Sequence, residues 1–238
     1  MHTRVLGRTG IDVSEVGFGA WAIGGNAHGN SYGPTDDGTS IAAVHRALDL
    51  GCTFFDTADV YGWGHSEEVL GRALEGRRDE VVIATKVGGD FYHGGVGMNF
   101  DPGYIAFALE RSLRRLRTDH VDVYQLHNPP AEMMADPATY EVLETLKAEG
   151  KIRSYWPPGM VAARAQVAER LAFLRRDGRT LAQAALRFLL AHPEVSVAIP
   201  GAKTPAQVEE NLAASDAPPL TDDELARVRS LFERDFLL

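Results

Sequence analysis

The sequence has a single cysteine, Cys52, and none of its apolar segments is long enough to cross a membrane. One cysteine excludes an internal disulfide and a metal site built from cysteine thiolates, and a membrane-spanning helix needs about 20 apolar residues in succession. The N-terminal residues, MHTRVLGRTG, also lack the apolar core of a secretion signal. We therefore expect a cytoplasmic protein without a membrane partner.

Positive charge is also scarce, with 24 Lys and Arg against 33 Asp and Glu. The densest basic run, RRLR at 114–117, is predicted to be the solvated last turn of a helix, and we expect no nucleic-acid partner. Three histidines near glycine-rich segments share no spacing typical of metal ligands, and we predict no metal site; they are His28, His65 and His93.

Apolar and amphipathic segments alternate along the first 150 residues. Four runs are typical of strands. The first, VGFGAWAIGG (16–25), is a strand that continues into a glycine-rich loop, and the others are CTFFDT (52–57), VVIATKV (81–87) and HVDVYQLH (120–127). A helical pattern follows each of them, at 39–51, at 66–76, after Asp101-Pro102 and at 139–150. Four strand-helix units in succession predict a parallel sheet covered by helices. A small hairpin over 3–14 is expected to precede them.

This alternation ends at Pro157-Pro158-Gly159, after a short predicted strand at 151–154. Two helices are predicted next, at about 160–176 and 180–192, then one strand in VSVAIPG (195–201) and helices from Thr204 and Thr221. The pattern predicts one α/β domain over 1–238, of the (β/α)8 barrel type. That barrel has eight strands in about 250 residues, whereas this sequence provides five strands and one short one.

Ionisable side chains stand where the predicted strands end. Asp56 ends the second strand and is followed by Tyr61, Lys86 ends the third, and His127 ends the fourth. Active sites of such barrels lie at the carboxyl ends of the strands. We therefore expect these four side chains to meet. Each also has an ordinary structural explanation, as a surface lysine, a loop cap or a turn residue.

Together the four residues suit protonation of an oxygen that gains negative charge, as when a carbonyl accepts hydride. A phenol has a pKa of about 10, and a neighbouring ammonium from Lys86 would lower the pKa of Tyr61 toward neutrality. Asp56 could hold that ammonium, and His127 could orient a substrate carbonyl.

Several long motifs closely resemble the aldo-keto reductase family. They are GFGAW, FFDTADVYGWGHSEEVLGRAL, VVIATKVG, ALERSLRRLRTDHVDVYQLH and VAIPGAKTPAQVEEN. The resemblance implies that Asp56, Tyr61, Lys86 and His127 are the catalytic tetrad, with Tyr61 as proton donor. It also implies a substrate pocket near Trp21 and Trp63, although aromatic residues of the core or rim would fit as well.

The same resemblance implies a nicotinamide cofactor, NADPH with NADH as the alternative. Its adenosine end would be held by the segment IPGAKTPAQVEEN, through Gly201, Lys203, Thr204, Gln207, Glu210 and Asn211. Gln207 stands where many members carry an arginine for the 2′-phosphate, which weakens the preference for NADPH. An ordinary helix start with an exposed lysine is the alternative explanation.

The sequence departs from the family where strands five to seven should lie. The residues that bind the nicotinamide ring are not found, and the pattern is joined near Arg153 and Ser154 across a missing block. Either the molecule carries a segment that this sequence omits, or the gene product lacks it. In the second case, the exposed edges of the flanking strands would need another partner.

The leading hypothesis is an NAD(P)H-dependent reductase of aldehydes or ketones that acts on a small-molecule carbonyl. A catalytically impaired relative that senses nucleotides or binds a partner is the first alternative. An aldolase using Lys86 in a Schiff base is a weaker one, because Tyr61 and His127 would then have no role. The sequence indicates neither the natural substrate nor the oligomeric state.

Overall fold

The computed structural model describes residues 1–29, 31–92, 97–130, 133, 136–156 and 171–233. The strands are β1 (Thr3–Val5), β2 (Asp12–Ser14), β3 (Phe18–Gly19), β4 (Phe54–Asp56), β5 (Val82–Val87), β6 (Gly89–Asp90), β7 (Gly97–Met98), β8 (Val121–Leu126) and β9 (Ile152–Trp156). The α-helices are α1 (Asp37–Asp49), α2 (His65–Ala73), α3 (Pro102–Leu116), α4 (Pro137–Ala148), α5 (Leu181–Leu190), α6 (Pro205–Leu212) and α7 (Asp222–Glu233).

The central sheet is parallel and has five strands in the order β3-β4-β5-β8-β9. All four neighbouring pairs are joined by a helix crossover, since α1 links β3 to β4, α2 links β4 to β5, α3 follows β6 and β7 between β5 and β8, and α4 links β8 to β9. This is the predicted alternation of strands and helices. It brings the carboxyl ends of all five strands to one edge.

The predicted strand at 195–201 is present only as two parallel bridges, between Val16 and Ala198 and between Gly19 and Gly201. The backbone still pairs with the β3 side of the sheet, where the amide of Gly17 donates to Ala198 O at 2.8 Å. Pro200 has no N–H to donate, which limits a continuous ladder here. The prediction of a full strand was therefore wrong.

Both faces of the sheet are buried. Helices cover the outer face, where Phe55, Ile83 and Tyr124 belong to the main hydrophobic cluster. On the inner face, Phe54 and Val123 pack in a second cluster with Leu6, Ile11 and Val13 from the predicted hairpin, which is β1-β2. The hairpin thus supplies apolar side chains to the inner face, and each large one contributes about 1.5–3 kcal/mol of burial. Cys52 is buried, and burial raises the pKa of its thiol to about 11.

Caps fix the helix ends. The Asp36 carboxylate accepts from Thr39 N at 2.8 Å, which starts α1 two residues before the predicted point. Reciprocal side-chain and backbone bonds between Thr221 and Glu224 form the predicted capping box at α7. Most of the helix predicted at about 160–176 lies outside the described residues, and residues 171–174 form a 3-10 turn.

The β9 edge of the sheet has no pairing partner in the part of the chain that the structure describes. The short strand predicted at 151–154 is a regular strand there, pairing with β8 from Ile152 onward. Closure into a complete barrel is therefore not seen. No helix among the described residues is long and apolar enough to cross a membrane.

Candidate active site

Three predicted residues lie on adjacent strand ends at the carboxyl edge of the sheet. Asp56 is the last residue of β4, Lys86 is the penultimate residue of β5, and His127 directly follows β8. The parallel register pairs Asp56 with Ala84, two residues before Lys86, and Lys86 with Gln125, two residues before His127, so the three residues are staggered by two positions from one strand to the next. The fourth residue, Tyr61, reaches the same edge from the loop that follows β4.

The Lys86 ammonium is fixed by three oxygen acceptors. Its Nζ donates to Asp56 Oδ2 at 2.6 Å, to Thr57 O at 2.7 Å and to the Tyr61 hydroxyl at 3.2 Å. An ammonium has three protons to donate, so this geometry can use all of them. The side chains of Lys86 and Asp56 are only 12% and 13% exposed, which shields the pair from water.

The loop that carries Tyr61 is shaped by glycine. Gly62 has φ +62°, and a Cβ at this position would overlap the carbonyl oxygen of Gly24. The loop is also tied to α2, where the Ser66 hydroxyl pairs with Thr57 Oγ1 at 2.8 Å and donates to Ala20 O at 2.7 Å. These contacts hold the Tyr61 ring 5.7 Å from the His127 ring in an edge-to-face arrangement.

The protonation states follow from burial and the local charges. Burial lowers the pKa of Lys86, but Asp56 and Tyr61 more than offset this, and the pKa is raised overall. Burial raises the pKa of Asp56 against the opposing effect of the Lys86 ammonium. Burial, and then the Lys86 charge, lower the pKa of His127 to about 4. His127 is therefore a neutral imidazole at pH 7, with one N–H to donate.

The pKa of Tyr61 differs from the expectation. Burial raises it, the Lys86 ammonium lowers it by less, and the net shift is upward. The predicted effect of Lys86 has the right sign, but the predicted net lowering was wrong because the sequence does not reveal how deeply the phenol is buried. The phenol consequently keeps its proton at neutral pH in this structure.

Protonation of His127 gives a testable effect on stability. The pKa of His127 is about 4 in the folded state and about 6.5 in an unfolded chain, so the unfolded chain binds the proton first as pH falls. The free energy of unfolding should therefore decrease between about pH 6.5 and 4, by up to about 3 kcal/mol. Urea unfolding of wild type and His127→Gln across this range should show a smaller decrease in the variant; equal decreases would contradict the assignment.

The two tryptophans predicted at the substrate pocket lie in different surroundings. The Trp21 ring is 6.3 Å from the Tyr61 ring and 4.5 Å from the Tyr32 ring. Trp63 instead stacks with His28, at 5.0 Å, and with Phe91, at 6.0 Å, and is 38% exposed. Trp21 thus lies beside the tetrad and Trp63 on an outer aromatic rim. Tyr32 was missed by the sequence reasoning, since only the fold brings it to Trp21.

The six residues predicted to bind the cofactor form a continuous segment beside β3. Gly201 bridges to Gly19 of β3, and Gly19 pairs with Asp56 of β4. This segment therefore lies two strands away from Asp56. Side chains fix its backbone: Asn211 Nδ2 donates to Gly201 O at 3.2 Å, and Gln207 Oε1 accepts from Lys203 N at 2.9 Å.

The same segment starts α6. The Thr204 hydroxyl caps this helix by accepting from Gln207 N at 3.3 Å, and Lys203 Nζ donates to Tyr32 O at 3.3 Å. The backbone oxygen of Glu210 accepts from Gln183 Nε2 at 3.1 Å. A helix N-terminus, an ammonium and a side-chain amide together suit the phosphate and adenosine groups of a nucleotide.

Comparison with known proteins gives consistent matches. A model of the Aldo/keto reductase family matches residues 15–156 and 159–233. The uncharacterized oxidoreductase YqkF of Bacillus subtilis is 29% identical over an alignment of 310 residues that covers 99% of this chain and 98% of the relative. The aldo-keto reductase YhdN of the same organism is 42% identical over 156 residues, which is 65% of this chain but only 46% of the relative.

Solved structures match along nearly the whole chain. The aldo-keto reductase AKR11C1 from Bacillus halodurans, in its holo form, is 28% identical with a TM-score of 0.82, covering 97% of this chain and 96% of its own. The glycerol dehydrogenase AKR11B4 from Gluconobacter oxydans, 24% identical with a TM-score of 0.77, shares the fold and covers 98% and 95% of the two chains.

The alignment with YqkF also measures what this chain lacks. It extends over 310 residues, whereas this chain has 238, so at least 72 aligned positions have no residue here. The family match is interrupted at 157–158, directly after β9. The described sheet therefore ends at the same point in the chain at which the family match is interrupted.

Proposed function

Because the chain belongs to the aldo/keto reductase family, and is thus an oxidoreductase of the carbonyl-reducing type, we propose that it reduces aldehydes or ketones with NAD(P)H and catalyses the reverse alcohol oxidation. The observation that carries the proposal is the Lys86 ammonium, bonded to both the Asp56 carboxylate and the Tyr61 hydroxyl. The substrate would be a small carbonyl compound. The single free cysteine is in keeping with a cytoplasmic location.

In the proposed reaction, Tyr61 is the general acid. The bound nicotinamide would supply a hydride to the carbonyl carbon. Tyr61 gives its phenolic proton to the carbonyl oxygen, and the Lys86 ammonium at 3.2 Å stabilises the phenolate that remains. Asp56 holds Lys86 in place. Neutral His127, whose pKa is about 4, donates a hydrogen bond that orients the carbonyl.

The described residues fit the adenosine and phosphate end of such a cofactor. We propose that Lys203, Thr204 and Asn211 hold it, together with Gly201, Gln207 and Glu210. The support is the donor set at the start of α6. NADPH is the proposed cofactor and NADH the alternative, because Gln207 replaces the arginine that many members use for the 2′-phosphate.

Replacing Lys203 by Ala should raise the Kd for NADPH by about tenfold or more, since one charge-assisted hydrogen bond is worth about 1.5–3 kcal/mol. Fluorescence titration would measure it. Lys147→Ala, on the distant helix α4, is the matched control and should leave the Kd unchanged. An equal Kd for both variants would refute this role for Lys203.

The whole enzyme is proposed to contain one domain over 1–238 and a further segment. The sequence predicts the join near Arg153 and Ser154, and the interruption of the family match at 157–158 moves the proposed join to just after β9. The 72 aligned positions missing here support this, as does the β9 edge, which pairs with no further strand among the described residues. The intact mass of the purified protein tests it. A mass near 25.9 kDa would mean that the segment is absent, whereas a mass larger by about 8 kDa would match two to three strand-helix units.

A nucleotide-binding protein without turnover is the second candidate, and the missing segment is the observation that favours it. An assay separates the two: the reductase should consume NADPH when a nitrobenzaldehyde is added. A protein that binds NADPH, as measured by fluorescence, but consumes none with a panel of aldehydes and ketones would support the second candidate.

A further inference from the structure

Asp59 is a buried acid that the proposed mechanism does not use. Its side chain is fully buried, and neither carboxylate oxygen has a hydrogen-bond partner among the described residues. The residue lies at the centre of the catalytic loop, two positions before Tyr61. Its own amide donates to the carbonyl oxygen of Lys86 at 3.2 Å. Asp59 thus joins the loop of one tetrad member to the strand of another.

The cation whose charge acts on Asp59, Arg115, is already paired with another acid. Arg115 Nε donates to Glu67 Oε2 at 2.7 Å, and its two other nitrogens donate to Tyr92 and Ser112. Glu67 is itself fully buried and also accepts from Thr85 Oγ1 at 2.6 Å. The Glu67–Arg115 pair is therefore neutral and satisfied. An ionised Asp59 would leave one uncompensated negative charge in the protein interior.

An uncompensated buried carboxylate is costly, and such a group normally takes up a proton instead. Burial and the Glu67 carboxylate raise the pKa of Asp59 well above its usual value. The charge of Arg115 and the nearby amides of Val60 and Gly88, which form no hydrogen bond of regular geometry with Asp59, oppose this shift with smaller effects. The titratable and charged groups around Asp59 are Glu67, Arg115, Tyr61, Tyr92, Tyr104 and Tyr124.

We propose that Asp59 is a positioning residue of the reaction, carried as a neutral carboxylic acid that packs the catalytic loop against the end of β5. Its neutrality also matters for the chemistry, because a negative charge at Asp59 would raise the pKa of Tyr61 further. An ionised Asp59 would thus oppose formation of the Tyr61 phenolate. The inference rests on the proposed reductase function for its kinetic part only.

The stability test needs no activity. If Asp59 is neutral when folded but ionised when unfolded, the unfolded chain binds fewer protons, so stability decreases as pH rises above about 4 until Asp59 ionises in the folded state. Asp59→Asn removes this dependence while keeping the shape of the neutral acid. Its folding equilibrium constant, relative to wild type, should therefore increase by about tenfold or more between about pH 5.5 and 8.

Urea unfolding at the two pH values measures this, with Asp12→Asn, at an exposed position of β2, as the matched control. The control should show no pH-dependent gain. Equal stability of Asp59→Asn relative to wild type at pH 5.5 and pH 8 would overturn the proposal, since it would mean that Asp59 is ionised in the folded as well as the unfolded chain across this range.

The kinetic test compares two variants at Asp59. Asp59→Ala should lower kcat by about tenfold or more, because the loop loses its packing, whereas Asp59→Asn should restore wild-type kcat and extend activity to higher pH. If Asn and Ala lower kcat equally, or the pH profile of Asn matches wild type, Asp59 is not a positioning residue. If wild type shows no turnover, the reductase proposal fails, while urea unfolding still decides the protonation state of Asp59.

Discussion

Replacing Tyr61 by Phe is expected to lower kcat for carbonyl reduction by at least about a thousandfold, with little change in the Kd for NADPH. The substitution removes one oxygen atom, and that oxygen is the proposed proton donor. Positioned acid catalysis contributes about 10²–10⁴ to a rate. The contribution of Tyr61 should lie toward the upper end of this range. His127 is a neutral imidazole at pH 7, which is too weak an acid to replace Tyr61 as the proton donor.

The same variant should remain folded. The Tyr61 ring keeps its edge-to-face contact with His127 and its place beside Trp21, and Lys86 keeps two of its three acceptors. Circular dichroism and the urea midpoint should therefore resemble those of wild type. A decrease in kcat with normal stability identifies a chemical role rather than a packing defect.

Tyr155→Phe is the matched control for this prediction. It removes a phenol of the same size that donates to Glu144 on the surface, at 2.8 Å. Stopped-flow or steady-state assays with a nitrobenzaldehyde should give wild-type kcat for this control. If Tyr61→Phe retained more than about a tenth of wild-type kcat, Tyr61 would not be the proton donor, since one proton-transfer role is worth more than that.

The strand ends of the candidate site could be predicted from the sequence because the parallel topology itself brings them together. Once four strand-helix units are recognised, the carboxyl ends of the strands must share one edge, so Asp56, Lys86 and His127 had to be neighbours. The helix starts were also predictable, because Thr221 and Glu224 carry a local capping signal.

Contacts between residues distant in sequence could not be predicted in this way. The run at 114–117 was expected to be solvated, yet the Arg115 side chain is 12% exposed and pairs with buried Glu67 at 2.7 Å. The prediction was wrong there because the α2–α3 packing, not the local sequence, decides which arginine points inward. The net pKa shift of Tyr61 was missed for the same reason, since burial is a tertiary property.

The segment that the sequence lacks is predicted to join the sheet at the β9 edge. An unpaired edge exposes backbone donors and acceptors to other chains. One side chain of β9 is paired with the neighbouring strand β8, since Arg153 donates to Asp122 Oδ1 at 2.6 Å. The interrupted family match after this strand makes the β9 edge the place where an additional segment would continue the sheet.

Replacing Lys86 by Met should affect both activity and stability, and the two effects can be separated. In the proposed reaction the ammonium stabilises the Tyr61 phenolate, and in the structure it also balances the buried Asp56 carboxylate. Removing it should lower kcat by about a hundredfold or more. It should also lower the free energy of unfolding by about 3 kcal/mol at pH 7, because one partner of a buried ion pair is left alone.

The double variant Lys86→Met with Asp56→Asn distinguishes these roles. The amide of Asn carries no charge, so the uncompensated carboxylate disappears and most of the lost stability should return, as measured by urea unfolding. Activity should not return, since neither variant supplies a cation beside the Tyr61 oxygen. Recovery of kcat together with stability would mean that Lys86 only maintains the fold around Tyr61, and Lys86 would then have no part in stabilising the phenolate.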